Sequence, residues 1–188
     1  MNEMIDKTDN KISLRQGRPE DIPALSEIAG KTFWEAFTGM MPEDDLQAYI
    51  AAAFSPEKLL LEWEQGGTAF IIAFYGQECA GYAKVNTRPV PERREVEKYI
   101  ELERLYLLKD FRGRKIGTVL MDHCIRYATE LGFDMLWLNV WERNTRAIDF
   151  YRGWDFTIVD WSIRMRGNDP QKAIWMRKTL QKQPLRLG

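Results

Sequence analysis

The spacing of apolar residues changes repeatedly along the chain, and each change predicts an element. Lys11 to Gln16 alternates apolar and polar residues, a short first strand, and Gly17 and Pro19 break it. Pro19-Glu20-Asp21 suits a helix start, followed by an apolar stripe of Ile22, Leu25, Ile28, Ala29 and Phe33. After Gly39 and Pro42 a second helix is predicted from about Pro42 through AYIAAAF. Ser55-Pro56-Glu57 opens a third, with Leu59, Leu60 and Trp63 inward, ended by Gly66-Gly67. Thr68–Tyr75 is a nearly continuous β run, turned by Gly76-Gln77 into Glu78–Thr87, which reads as a hairpin. Arg88 to Lys98 is a charged, proline-containing loop and the expected flexible segment.

Leu102 to Leu108 is again apolar and aromatic, a central strand. A basic turn, Lys109 to Gly117, leads into a helical series of Ile116, Leu120, His123, Tyr127 and Leu131, flanked by Val119 and Cys124 and closed by Gly132. Met135–Val140 is a further buried strand, Asn144 caps a short helix, and Phe156–Met165 with Ala173–Thr179 predict a last hairpin around Gly167-Asn168. Strands flank single helices, and hairpins occur towards both ends. The pattern predicts an α/β or α+β domain around one mixed sheet, spanning residues 11–181 between short tails at 1–10 and 182–188.

The central strand, basic turn and helix carry a chemical expectation. The first turn of a helix leaves N–H groups unpaired, and the macrodipole adds partial positive charge there. A pyrophosphate suits that environment, and Arg112, Arg114 and Lys115 place three cations beside it. The competing reading is a solvated strand-to-helix connection.

Composition narrows the classes. The chain has 188 residues, 45% apolar and 12% aromatic, which fits one packed domain. Its 27 basic and 28 acidic residues argue against broad binding to nucleic acid. The polar start MNEMIDKTDN lacks a signal-peptide core, and no apolar run approaches a membrane span. Cys79 and Cys124 form neither a disulfide framework nor metal-ligand spacing, so the reading is a cytoplasmic protein with no metal and no membrane or nucleic-acid partner.

Two stretches add to the basic turn: Leu138-Asn139-Val140-Trp141, then Asn144, Ala147 and Phe150-Tyr151. Together they resemble the GNAT family of acetyl-CoA-dependent N-acetyltransferases, whose signature is a strand, an R/Q-x-x-G-x-G/A turn and helix, and later an N-x-x-A-x-x-F-Y helix. KTFWEAFTG, AGYAKVN and LNVWERNTRAIDFY are most similar to the bacterial PaiA-type spermidine/spermine acetyltransferases within it. The resemblance implies the acyl-CoA N-acyltransferase fold, one mixed, mainly antiparallel sheet flanked by helices. Two positions depart from the pattern. Lys115 stands where the turn usually has glycine, and Asp155 replaces the glycine that follows the F-Y helix.

The resemblance also implies roles. Acetyl-CoA would lie with its pyrophosphate on the backbone of Arg112, Gly113, Arg114, Lys115, Ile116 and Gly117, and its pantetheine arm along Leu105, Tyr106 and Leu107, with Asn144 contacting that arm. Tyr151 matches the acid that protonates the departing thiolate, against a reading as core packing beside Phe150. A protonated amine needs a base, and Glu101 or Glu103, on one face of the central strand, would serve. Ion pairing, with Arg93 and Arg94 among the partners, is their alternative. Trp34 and Glu35 are expected at the acceptor end, and Glu43, Asp44 and Asp45 are read as a solvated helix start. His123, Cys124 and most tryptophans are read as core. The expected activity is acetyl transfer to a small-molecule amine, a polyamine first, with a protein lysine or N-terminus as alternative. A catalytically silent acyl-CoA sensor is the reading from another class, and a homodimer is left open.

Overall fold

A computed structural model describes residues 11–87, 98–166 and 169–181. The expected tails, the charged loop at 88–97 and the turn at Gly167-Asn168 lie outside the described residues, as do Arg93 and Arg94. The chain forms β1 (Ile12–Gln16), α1 (Ile22–Phe37), α2 (Glu43–Phe54), α3 (Pro56–Glu64), β2 (Thr68–Tyr75), β3 (Glu78–Asn86) and β4 (Tyr99–Leu107). After a 3-10 turn at Lys109–Phe111 come α4 (Ile116–Glu130), β5 (Met135–Trp141), α5 (Thr145–Arg152), β6 (Thr157–Arg166) and β7 (Asp169–Thr179). The strand order is β1-β2-β3-β4-β5-β7-β6. β1 pairs antiparallel with β2, and β7 antiparallel with β5 and β6, while β4 and β5 run parallel. The sheet is therefore mixed and mainly antiparallel, as expected. Among the described residues no helix is long and apolar enough to cross a membrane.

The chain divides into two compact units. One holds residues up to Lys84 with Arg104–Asp122, the other Val85–Glu103 with His123 onward. In the first, α1 buries Ile22, Leu25, Ile28, Ala29, Phe33 and Phe37 at i, i+3, i+4 spacing. The Thr32 hydroxyl is buried there and donates to the Ile28 carbonyl at 2.7 Å. The Phe33 ring stacks on Tyr49 of α2 and meets Phe54, where α2 ends. Ser55 caps α3 by accepting from the Lys58 N–H. Leu59 is buried, but Leu60 is exposed; Glu62 takes the inward position instead.

In the second unit Trp137 of β5 stacks on Trp175 of β7, centroids 4.9 Å apart. α5 starts at Asn144, whose side chain accepts from the Ala147 N–H. α4 passes from one unit to the other and buries Ile116, Leu120, Met121, Cys124 and Ala128. His123 is half-buried beside that stripe, and Leu131 is exposed because the helix has ended, with Gly132 at φ +75°. The Phe133 N–H closes the last turn on the Ala128 carbonyl. Trp161 is exposed rather than core, since β6 is the last strand of the sheet.

Candidate active site

β4 delivers the chain to the basic turn in the first unit. Leu108 donates its N–H to the Ala80 carbonyl, and the 3-10 turn follows at once. Arg112 spends its own N–H on the Lys109 carbonyl, so it is not among the free donors that were expected of it. The first ladder bond of α4 runs from the Val119 N–H to the Lys115 carbonyl, 3.1 Å. The N–H groups of Ile116, Gly117 and Thr118 precede that ladder, so Gly117 belongs to the helix start rather than the turn.

Two residues of the turn are left-handed, Gly113 at φ +82° and Lys115 at φ +65°. Lys115 thus takes a backbone shape that glycine adopts freely, at roughly 1–2 kcal/mol of local strain. Asp155 does the same after α5, at φ +62°, while Gly153 stays right-handed at φ −61°. The cations differ in engagement. Arg112 Nε donates to the Leu107 carbonyl at 3.2 Å, and its guanidinium lies 3.8 Å from Glu35. Arg114 donates to the Asp110 carbonyl and stacks over Tyr75, 4.8 Å from the ring centre. Both brace the turn. Lys115 is exposed.

Glu35 also accepts from the Lys109 N–H at 2.6 Å, so its carboxylate is tied to the turn. Trp34, next to it on α1, is half-buried. Tyr106 turns its ring towards Phe33 and Tyr82. Glu43, Asp44 and Asp45 are exposed in the first turn of α2, a placement the helix dipole favours.

In the second unit a parallel ladder joins Tyr99–Glu101 to Met135–Trp137, with Glu101 opposite Trp137 its last pair. Glu101 and Glu103 share one face of the strand and are half-buried, and Glu103 accepts a long bond from the Asn86 amide at 3.5 Å. Tyr151 is half-buried on α5, its ring against Phe150 and Phe156. Asn144 serves as the N-cap of the same helix.

Three features escaped sequence reasoning. Glu62 of α3 lies buried between Lys84 of β3 (2.7 Å) and Arg104 of β4 (3.1 Å). Burial pushes its carboxyl up, but the Arg104 and Lys84 cations outweigh this and hold it below the usual range. Gly81 lets β3 and β4 meet closely, since a Cβ there would stand 2.3 Å from the Tyr106 carbonyl oxygen. The Asn139 amide has both its oxygen and nitrogen buried with no partner among the described residues. Its one signal was a polar residue inside the apolar run MLWLNVW. Cys79 and Cys124 are both free thiols.

A seven-stranded mixed sheet of this order, with unladdered helix N–H groups beside a basic turn after its central strand, has the architecture of an acyl-CoA N-acyltransferase. The sequence profile of the acetyltransferase (GNAT) family matches residues 32–156, and the chain belongs to that family. It is an N-acetyltransferase of the GNAT type, an acetyl-CoA-dependent acyltransferase. It is 27% identical over 169 residues to an uncharacterized N-acetyltransferase in the pepI 3' region of Lactobacillus delbrueckii subsp. lactis, covering 90% of this chain and 98% of that one. It is 26% identical over 149 residues to a spermidine N(1)-acetyltransferase of Thermoplasma acidophilum, covering 79% and 90%. The fold is similar to that of the PaiA N-acetyltransferase from Thermoplasma acidophilum crystallised with coenzyme A. The TM-score there is 0.73 at 24% identity, covering 90% and 99% of the two chains.

Proposed function

We propose that the protein transfers acetyl from acetyl-CoA to a primary amine of a polyamine such as spermidine, by direct attack in a ternary complex. The observation that carries the cosubstrate half is the start of α4. There three N–H groups precede the ladder beside the exposed Lys115. The diphosphate would sit on the backbone from Gly113 to Thr118. The pantetheine arm would add to β4 along Leu105, Tyr106 and Leu107, a mode supported by the ladder's end at Glu101, with Asn144 contacting the arm.

The chemistry follows from charge. A polyamine nitrogen is mostly protonated near neutrality, so Glu101 or Glu103, directly or through water, takes one proton. The free amine attacks the thioester carbonyl, polarised by a backbone N–H near Leu105. As the C–S bond breaks, the Tyr151 hydroxyl gives its proton to the thiolate, and the second amine proton, lost as the amide forms, replaces it on the Tyr151 oxygen. Trp34 is the side chain at the acceptor end suited to stack on a cationic chain. The named activity of the Thermoplasma relative supports the polyamine.

The test is thiol release from acetyl-CoA with spermidine against a no-acceptor blank, with lysine-containing and free-N-terminal peptides in parallel. A rate that rises above the blank and saturates in spermidine supports the reading. Saturation only with peptides moves the acceptor to protein amines. No acceptor-dependent release from any amine removes the transferase reading for these acceptors.

A further inference from the structure

We infer that Glu35 is a positioning residue for the cosubstrate turn, acting on acetyl-CoA affinity rather than on the amine acceptor. One carboxylate on α1 holds the first residue of the 3-10 turn and the residue just after it. It accepts from the Lys109 N–H at 2.6 Å and lies 3.8 Å from the Arg112 guanidinium. Arg112 in turn donates to the Leu107 carbonyl at the end of β4. The segment that follows carries two left-handed residues, one of them Lys115, and so departs from the shape a free chain prefers. Backbone of this kind persists where its surroundings over-determine it. The segment is tied by the 3-10 turn itself, by the Arg114 bond to the Asp110 carbonyl, by Arg114 over the Tyr75 and Phe111 rings, and by Glu35. Of these, only Glu35 brings a full negative charge to the 3-10 helix N–H and Arg112 together.

The carboxylate is only 20% exposed and already has two partners, which leaves it poorly placed to recruit a cationic acceptor. Its effect is pre-organisation: a turn held in shape meets the diphosphate without first being ordered. The inference rests on the diphosphate reading of the turn.

The experiment is calorimetric titration of the full chain with coenzyme A, plus steady-state kinetics in which each substrate is varied at saturation of the other. Glu35→Ala, which removes both contacts, is expected to weaken coenzyme A binding about tenfold. Glu35→Gln, which keeps an acceptor for the Lys109 N–H, is expected to weaken it about threefold. The KM for acetyl-CoA should rise in step, with the KM for spermidine within twofold of wild type. The Glu35→Ala/Arg112→Ala double variant should bind less weakly than the product of the two single effects, because the two residues act through one contact. Coenzyme A affinity unchanged in Glu35→Ala, or a rise confined to the spermidine KM, overturns the inference and leaves the turn's own role intact. A wild-type chain that binds no coenzyme A removes the diphosphate reading and this inference with it. Thermal unfolding of each variant separates a displaced turn from a collapsed fold.

Discussion

Replacing Glu62 by glutamine keeps the side chain's size and removes one negative charge from the middle of a buried cluster. The Lys84 side chain is 1% exposed, and Arg104 and Glu62 are 12% and 8% exposed, so water cannot take over the carboxylate's role. The Arg104 guanidinium lies 5.0 Å from the Phe54 ring centre, and the buried Lys84 ammonium 6.0 Å from that of Phe70. Breaking one partner of such a cluster costs about 3–5 kcal/mol, because the remaining charge stays desolvated. In urea, with a slope of roughly 1–3 kcal/mol per molar, the midpoint should fall by about 1 M or more. The triple change Glu62→Leu, Lys84→Met and Arg104→Met should recover much of this, since removing all three charges of the cluster removes the penalty as well. The pH dependence has a definite sign. Burial alone would raise the Glu62 pKa, but Arg104 and Lys84 hold it below the unfolded value. Its contribution is therefore full above the unfolded carboxyl pKa of about 4.3, and is lost as pH falls through the folded value. The gap between wild type and Glu62→Gln should be constant from neutral pH down to about pH 5 and narrow below pH 4. A loss under 1 kcal/mol at neutral pH, or a gap that narrows first on the alkaline side, would refute the reasoning.

Lys115→Gly should raise stability by up to about 1.6 kcal/mol. It removes roughly 1–2 kcal/mol of left-handed strain and returns about 0.4–1 kcal/mol as unfolded-chain freedom. The same change should weaken coenzyme A binding by deleting a cation, so thermal unfolding and calorimetry should move in opposite senses. Gly81→Ala should lose more than about 2 kcal/mol in urea unfolding, because the added carbon meets the Tyr106 carbonyl at 2.3 Å and the Leu107 Cα at 2.9 Å, both of them backbone. Burial pushes the Cys124 thiol up to about 12, so in the native protein at pH 8 it should not react with a thiol-specific reagent, and should do so once denatured.

Elements whose signal is local were readable from the sequence. The α1 stripe from Ile22 to Phe33, the Ser55 and Asn144 caps and the Gly132 stop each depend on neighbours within one helix turn, and each is found in the fold. The positive φ at Lys115 and Asp155 could be anticipated only as departures from a family pattern, because nothing in either residue type alone demands it. Non-local pairing was not readable. Glu62 stands between Leu61 and Trp63 in the chain, and its inward turn depends on cations 22 and 42 residues away. Leu60 is exposed for the same reason, since α3 turns Leu59 and Glu62 to the interior. Glu35 likewise showed its acidity in sequence but not its tie to a turn 74 residues on. The exposure of Trp161 follows from β6 ending the strand order, which no pattern within β6 itself records.

The central claim is that Tyr151 gives its proton to the departing thiolate, and the Tyr151→Phe variant tests it most directly. Its ring packs against Phe150 and Phe156, contacts that phenylalanine preserves, so only the hydroxyl changes. The account expects turnover of acetyl-CoA with spermidine to fall by about 10²–10⁴-fold while coenzyme A binds within twofold of wild type. Unchanged turnover at intact coenzyme A affinity would contradict it.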